Sequence, residues 1–83
     1  MSDSLKHDLN ALKSLFLLYR ERSVTKAAVV AGVTQPSMSR TLNKLREAYN
    51  DRLFVRQKDE LVATPKAELL MTQLLPLFEQ ISV

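Results

Sequence analysis

The chain has 83 residues, with 12 Lys/Arg against 9 Asp/Glu, one Gly, one His and neither Cys nor Trp. That length holds one small domain with a thin core; the missing cysteines exclude a disulfide framework and a thiolate metal site, and one Gly cannot build a phosphate-cradling loop. The net charge of +3 is uneven: residues 1–58 hold eleven Lys/Arg and five Asp/Glu, whereas 59–83 hold Lys66 alone against Asp59, Glu60, Glu68 and Glu79, so a basic body suited to a polyanion precedes an acidic tail.

No apolar run approaches the ~20 residues of a membrane span, and Met1–Ser4 lacks the basic-then-apolar pattern of a signal peptide. The first periodic stretch is Leu5, Leu9, Leu12, Phe16 and Tyr19. Steps of three and four put these side chains on one helical stripe, which predicts a helix over about 8–22 capped by Asp3, Ser4 or Asp8. Leu17 and Leu18 fall off the stripe, either as exposed leucines or as a second contact face. Ser23 is a natural N-cap for a short helix over 24–31, and Gly32 follows it at the position that favours a left-handed backbone. Thr34 then caps a third helix with Pro36 in its first turn, where the missing N–H costs nothing.

Met38, Leu42, Leu45 and Tyr49 form the buried stripe of that third helix. Gln35, Ser37, Ser39, Arg40, Thr41, Asn43 and Lys44 lie off it, with no acid before Glu47. Leu53–Arg56 and Glu60–Ala63 read as the strands of a hairpin, although its turn, Gln57-Lys58-Asp59, has neither Gly nor Asn. Thr64-Pro65 starts a last helix with Leu70, Met71, Leu74, Leu77, Phe78 and Ile81 on one face; Pro76 inside it is expected to kink or end it.

Helix, Gly-containing turn and a helix rich in Gln, Ser, Arg and Lys make a helix-turn-helix pattern. The second helix must be apolar on one side to dock. Its other side must offer groups that read base edges, as Gln does for adenine and Arg for guanine. Lys44 and Asn43 extend this polar surface, with Lys44 suited to a phosphate. A hairpin after such a helix is a wing that lies on neighbouring backbone or minor groove.

Residues 8–83 resemble the N-terminal winged helix-turn-helix domain of LysR-type bacterial transcriptional regulators. The resemblance rests on Lys26-Ala27-Ala28, Thr34-Gln35-Pro36-Ser37-Met38-Ser39-Arg40, Leu53-Phe54-Val55-Arg56 and Thr64-Pro65 in this order and spacing. Asn50-Asp51 and Glu60–Pro65 look closest to the branch that includes the nodulation regulators. The resemblance implies that Gln35, Pro36 and Arg40 meet bases and that Thr34, Ser37 and Ser39 hold the DNA backbone. It also matches Arg56 to the arginine that closes the first wing strand. The helix after Thr64 would be a linker helix that pairs with its mate in a homodimer through Leu70, Leu74, Leu77, Phe78 and Ile81, with a tetramer open to the full-length protein. A separate effector-binding domain would sense a small molecule. The wing tip departs from the family: Lys58-Asp59-Glu60 stands where Gly and arginines are usual, which leaves Lys58 as the tip's DNA contact. Ala31 and Val29-Val30 also depart, leaving the packing of the second helix open.

The expected fold is therefore mainly α, a winged helix-turn-helix of three core helices and a two-stranded wing over 1–63, followed by a long linker and dimerisation helix over 64–83. A chain that stops on an apolar stripe is expected to be cut from something longer. The expected function is sequence-specific binding of an operator with dyad symmetry by a cytoplasmic, nucleoid-associated bacterial regulator, without cofactor, metal or membrane. The alternative is a winged-helix protein-interaction module that never meets DNA. An enzyme has the least support: His7 has no metal-ligand partners, Asp59-Glu60 are adjacent turn charges that point apart, and no serine has a positioned base.

Overall fold

The computed structural model of the chain describes residues 8–81, and side-chain surroundings for residues 8–77. Expectations about Leu5, His7, the caps Asp3 and Ser4, and the side chains of Phe78 and Ile81 lie outside those residues.

Helix α1 spans Leu9–Glu21, α2 Val24–Ala31 and α3 Gln35–Tyr49; strands β1, Phe54–Gln57, and β2, Glu60–Ala63, precede helix α4, Pro65–Ile81. Each start has a side-chain cap. The Asp8 carboxylate accepts from the amides of Asn10 and Ala11, Ser23 Oγ from Lys26, Thr34 Oγ1 from Ser37 and Thr64 Oγ1 from Ala67, which satisfies N–H groups that a helix start leaves unpaired. Gly32 closes α2 at φ 75, and Asn50 closes α3 at φ 51, the residue types that tolerate a left-handed cap best.

The inward face of α1 differs from its periodic stripe. Leu9 is 63% exposed and Leu12, Phe16 and Tyr19 are half-buried, whereas Ala11, Leu15, Leu17 and Leu18 are buried. The reason is position: α1 touches α2, α3, β2 and α4, and a helix covered on several sides has no single apolar seam. Leu17 and Leu18 are therefore core, not exposed leucines. On α3 the expected stripe holds, with Met38, Leu42 and Leu45 buried and Tyr49 half-buried. Phe54, Leu53 and Met71 complete the centre.

The wing is an antiparallel pair in the register Phe54↔Ala63, Val55↔Val62, Arg56↔Leu61 and Gln57↔Glu60. Its two-residue turn, Lys58-Asp59, has φ values of 50 and 67, the both-positive pattern that matches strand twist in tight hairpins. Strand β2 has the expected bounds, whereas β1 begins one residue later than the sequence suggests, because Leu53, fully buried, sits at φ 65 with the Phe54 amide donating to Arg52 O at 2.7 Å. Ala67 and Met71 anchor the start of α4 in the core, and Tyr19 Oη donates to Glu68 Oε1 at 2.8 Å. That carboxylate bond holds the Tyr19 hydroxyl above its ordinary pKa. Pro76 does not end α4, which continues to Ile81; its ring nitrogen leaves the Thr72 carbonyl without an i+4 amide.

Candidate nucleic-acid interface

Helix α3 carries its polar residues in lanes set by the 3.6-residue period. Gln35, Ser39 and Asn43 form one lane, which faces the wing. Ser37, Thr41 and Lys44 form another, and Thr41 and Lys44 face the start of α1. Pro36 and Arg40 project between them. Gln35, Pro36, Arg40, Asn43 and Lys44 are exposed, and Ser37 and Ser39 are half-buried.

The first lane borders a groove of about 350 Å³ between α3 and β1, lined by Gln35, Ser39, Asn43, Arg46, Arg52 and Arg56 among others. Within it Gln35 Nε2 donates to Ser39 Oγ at 3.0 Å, so the Gln35 amide is held along the helix and keeps its carbonyl oxygen and one N–H for a partner. A second groove of about 400 Å³ at the other flank is lined by Lys44 and Thr41 with Lys13, Asn10 and Asp8 of the α1 end. Thr34 caps α3 with its hydroxyl oxygen, which accepts from the Ser37 amide; its O–H remains a donor that can meet an anion beside the first-turn amides.

Of the residues singled out by sequence, the structure gathers Gln35, Ser39, Asn43 and Arg56 on one groove. It sets Thr34, Pro36, Ser37 and Arg40 at the outer start of α3, with Lys44 on the far flank. Arg56 and Lys58 are both exposed on the wing, with Lys58 at its tip. On α4, Leu70 and Leu74 are half-buried against the core and Leu77 is 56% exposed, while Phe78 and Ile81 lie outside the described side chains. Among the described residues no group of His, Asp or Glu is placed to hold a metal ion, and no helix is long and apolar enough to cross a membrane.

Two residues that sequence reasoning passed over shape this surface. Arg46 donates through Nε to Arg52 O at 2.7 Å, through Nη2 to Phe54 O at 2.9 Å and through Nη1 to Asn43 Oδ1 at 3.2 Å. Partial burial, and then the neighbouring Arg52 guanidinium, lower its pKa from the ordinary value. Asp51 accepts through Oδ2 from the Leu53 amide at 2.8 Å and from Thr64 Oγ1 at 2.6 Å. The hydrogen bonds from Thr64 and Leu53 hold the Asp51 carboxyl below its usual range. The signal for Arg46 was its place beside the Leu42–Leu45–Tyr49 stripe, where a charged group needs a partner. Nothing in the sequence told that the partners would be backbone carbonyls.

Residues 9–68 match the bacterial regulatory helix-turn-helix proteins of the lysR family. The chain is 49% identical over 69 residues to the HTH-type transcriptional regulator SyrM 2 of Sinorhizobium fredii, covering 83% of this chain and 20% of that protein. It is 46% identical over 63 residues to nodulation protein D of Rhizobium leguminosarum bv. trifolii, covering 76% and 20%. It thus spans about a fifth of the length of these curated relatives. Among solved structures, the probable transcriptional regulator PA0477 from Pseudomonas aeruginosa aligns with a TM-score of 0.84 at 32% identity, over 90% of this chain and 25% of that one. The BenM DNA-binding domain in complex with benA site 1 DNA aligns with a TM-score of 0.80 at 25% identity, over 90% and 84%.

Proposed function

Because this chain belongs to the lysR family of bacterial regulatory helix-turn-helix proteins, we propose that it is a sequence-specific double-stranded DNA-binding unit of a transcriptional regulator. The observation that carries the reading is the outer surface of α3. Gln35, Arg40 and Lys44 stand exposed there with no acid before Glu47, beside a wing whose exposed cations are Arg56 and Lys58.

In this reading α3 enters the major groove by its first turns. Gln35 and Arg40 read base edges, Arg40 through its planar fork, and Pro36 rests against the bases. Thr34, Ser37 and Ser39 hold the backbone near the helix start. Lys44, Arg56 and Lys58 neutralise phosphates on either side, with Asn43 between them and the wing over the adjacent backbone or minor groove. Residues 1–63 are the reading head, and 64–83 form a linker helix that pairs with a second copy through Leu70, Leu74, Leu77, Phe78 and Ile81. Two heads then meet a dyad about one helical turn apart. The regulator works in the bacterial cytoplasm on the nucleoid, senses its effector through a further domain, and carries no catalysis in this part.

A protein-interaction module is the second reading, favoured by the exposed apolar Val29, Val30 and Val33 of α2 and the turn after it. Selection of bound duplexes from a random pool separates the two. DNA reading predicts an interrupted dyad; recovery of no preferred sequence favours the interaction module. On the selected site, Arg40→Ala is expected to cost about 1–3 kcal/mol and to relax one base position. Lys44→Ala is expected to weaken all sequences about equally, and an unchanged site preference in the Arg40 variant would remove its assigned role.

A further inference from the structure

The three donors of Arg46 join two parts of the molecule that must act together on DNA. Asn43 belongs to the reading surface of α3, and the carbonyls of Arg52 and Phe54 belong to the root of the wing. Those carbonyls flank Leu53, the buried residue whose positive φ turns the chain from the end of α3 into β1. That backbone state is costly for a branched side chain and persists where its surroundings hold it. From the other side, Asp51 ties the Leu53 amide to Thr64, the cap of α4.

We propose that Arg46 is a positioning residue: bridging Asn43 and the wing root, its guanidinium fixes the angle at which the wing leaves the recognition helix, and so the stretch of DNA that helix and wing can touch at once. The proposal rests on the DNA-binding reading above for its consequence, although not for its geometry. A planar fork with donors in fixed directions suits two carbonyls and an amide oxygen together; a lysine ammonium supplies the charge but not the fork. The same bond engages Asn43 Oδ1, so Asn43 offers its NH₂ donors outward. It is suited to a phosphate oxygen or a base acceptor and not to a base amino group.

The test uses Arg46→Lys and Arg46→Met in the 83-residue chain, with amide hydrogen exchange read on the free protein. The Phe54 and Thr64 amides, which donate to Arg52 O and Leu53 O, are expected to exchange about tenfold faster in both variants relative to the core amides of Leu15 and Leu18, the scale of losing a charge-assisted hydrogen bond. Equal acceleration of all four amides would reduce Arg46 to a general stabiliser and overturn the proposal. Wing-root protection unchanged in the lysine variant would do the same. Duplexes selected from a random pool then read the consequence. Arg46→Lys should relax base preference only in the flank under the wing; equal relaxation at every position overturns positioning. Failure to select any duplex would count against DNA binding, while the exchange result still decides the brace.

Discussion

Replacing Leu18 with Ala removes a side chain that is fully buried, with 0% exposure. Withdrawing a leucine side chain from water is worth about 1.5–3 kcal/mol, and the cavity left behind brings Leu→Ala substitutions in cores to about 2–5 kcal/mol. A domain of this length has a total stability of about 4–12 kcal/mol. Loss of roughly 3 kcal/mol therefore lowers the melting temperature by about 12–24 °C. Leu9→Ala acts on the same helix but on a residue that is 63% exposed. Little apolar surface is lost there, and alanine's helix propensity offsets part of it, so a change within about 0.5 kcal/mol is expected. Urea unfolding at matched protein concentration, followed by far-ultraviolet circular dichroism, gives both numbers. Equal costs, or a larger cost for Leu9, would mean that α1 presents its periodic stripe inward, and the described core would be wrong.

Asp59→Gly should raise stability by up to about 1 kcal/mol, since glycine takes a positive φ without the penalty an L side chain carries; an unchanged or lower unfolding midpoint would contradict a tight two-residue turn. The Asp51 carboxyl is held below its unfolded value, so its contribution is present above about pH 4 and lost as pH falls through the lower folded value. Melting of Asp51→Asn against the unmodified chain should therefore show a gap at neutral pH that closes in acid, and a gap constant with pH would deny the carboxylate its role. Leu77→Glu places a charge on an exposed apolar position of α4 and should give monomers in sedimentation without lowering the melting temperature of the head; a dimer unchanged by it would move the interface elsewhere.

What the sequence discloses follows from how local each signal is. The α2 and α3 boundaries, their caps and the left-handed Gly32 were legible because Ser23, Thr34 and Gly32 act on amides and carbonyls within a turn of themselves. The exposed polar surface of α3 was legible because a helix must sort apolar from polar residues about its axis. The inward face of α1 was not, since burial of Leu17 and Leu18 depends on neighbours in four other elements. The hairpin was legible from its apolar strands, but Lys58-Asp59 hid the turn type, because Lys58 does not favour the left-handed state it adopts and no Gly follows to mark the turn. Arg46 and Asp51 were illegible as a pair of braces. Their partners are mostly main-chain atoms and a threonine thirteen residues away, and these carry no residue-specific mark.

The cations of α3 and the wing are expected to neutralise a duplex backbone. Binding to a selected duplex of about 25 base pairs, followed by fluorescence anisotropy from about 50 to about 200 mM KCl, measures that directly. With roughly four phosphates neutralised per protomer, and so roughly eight by a dimer on its dyad, affinity should fall on the order of ten-thousandfold over that range. An affinity that stays flat across it would contradict a phosphate-neutralising role for these cations.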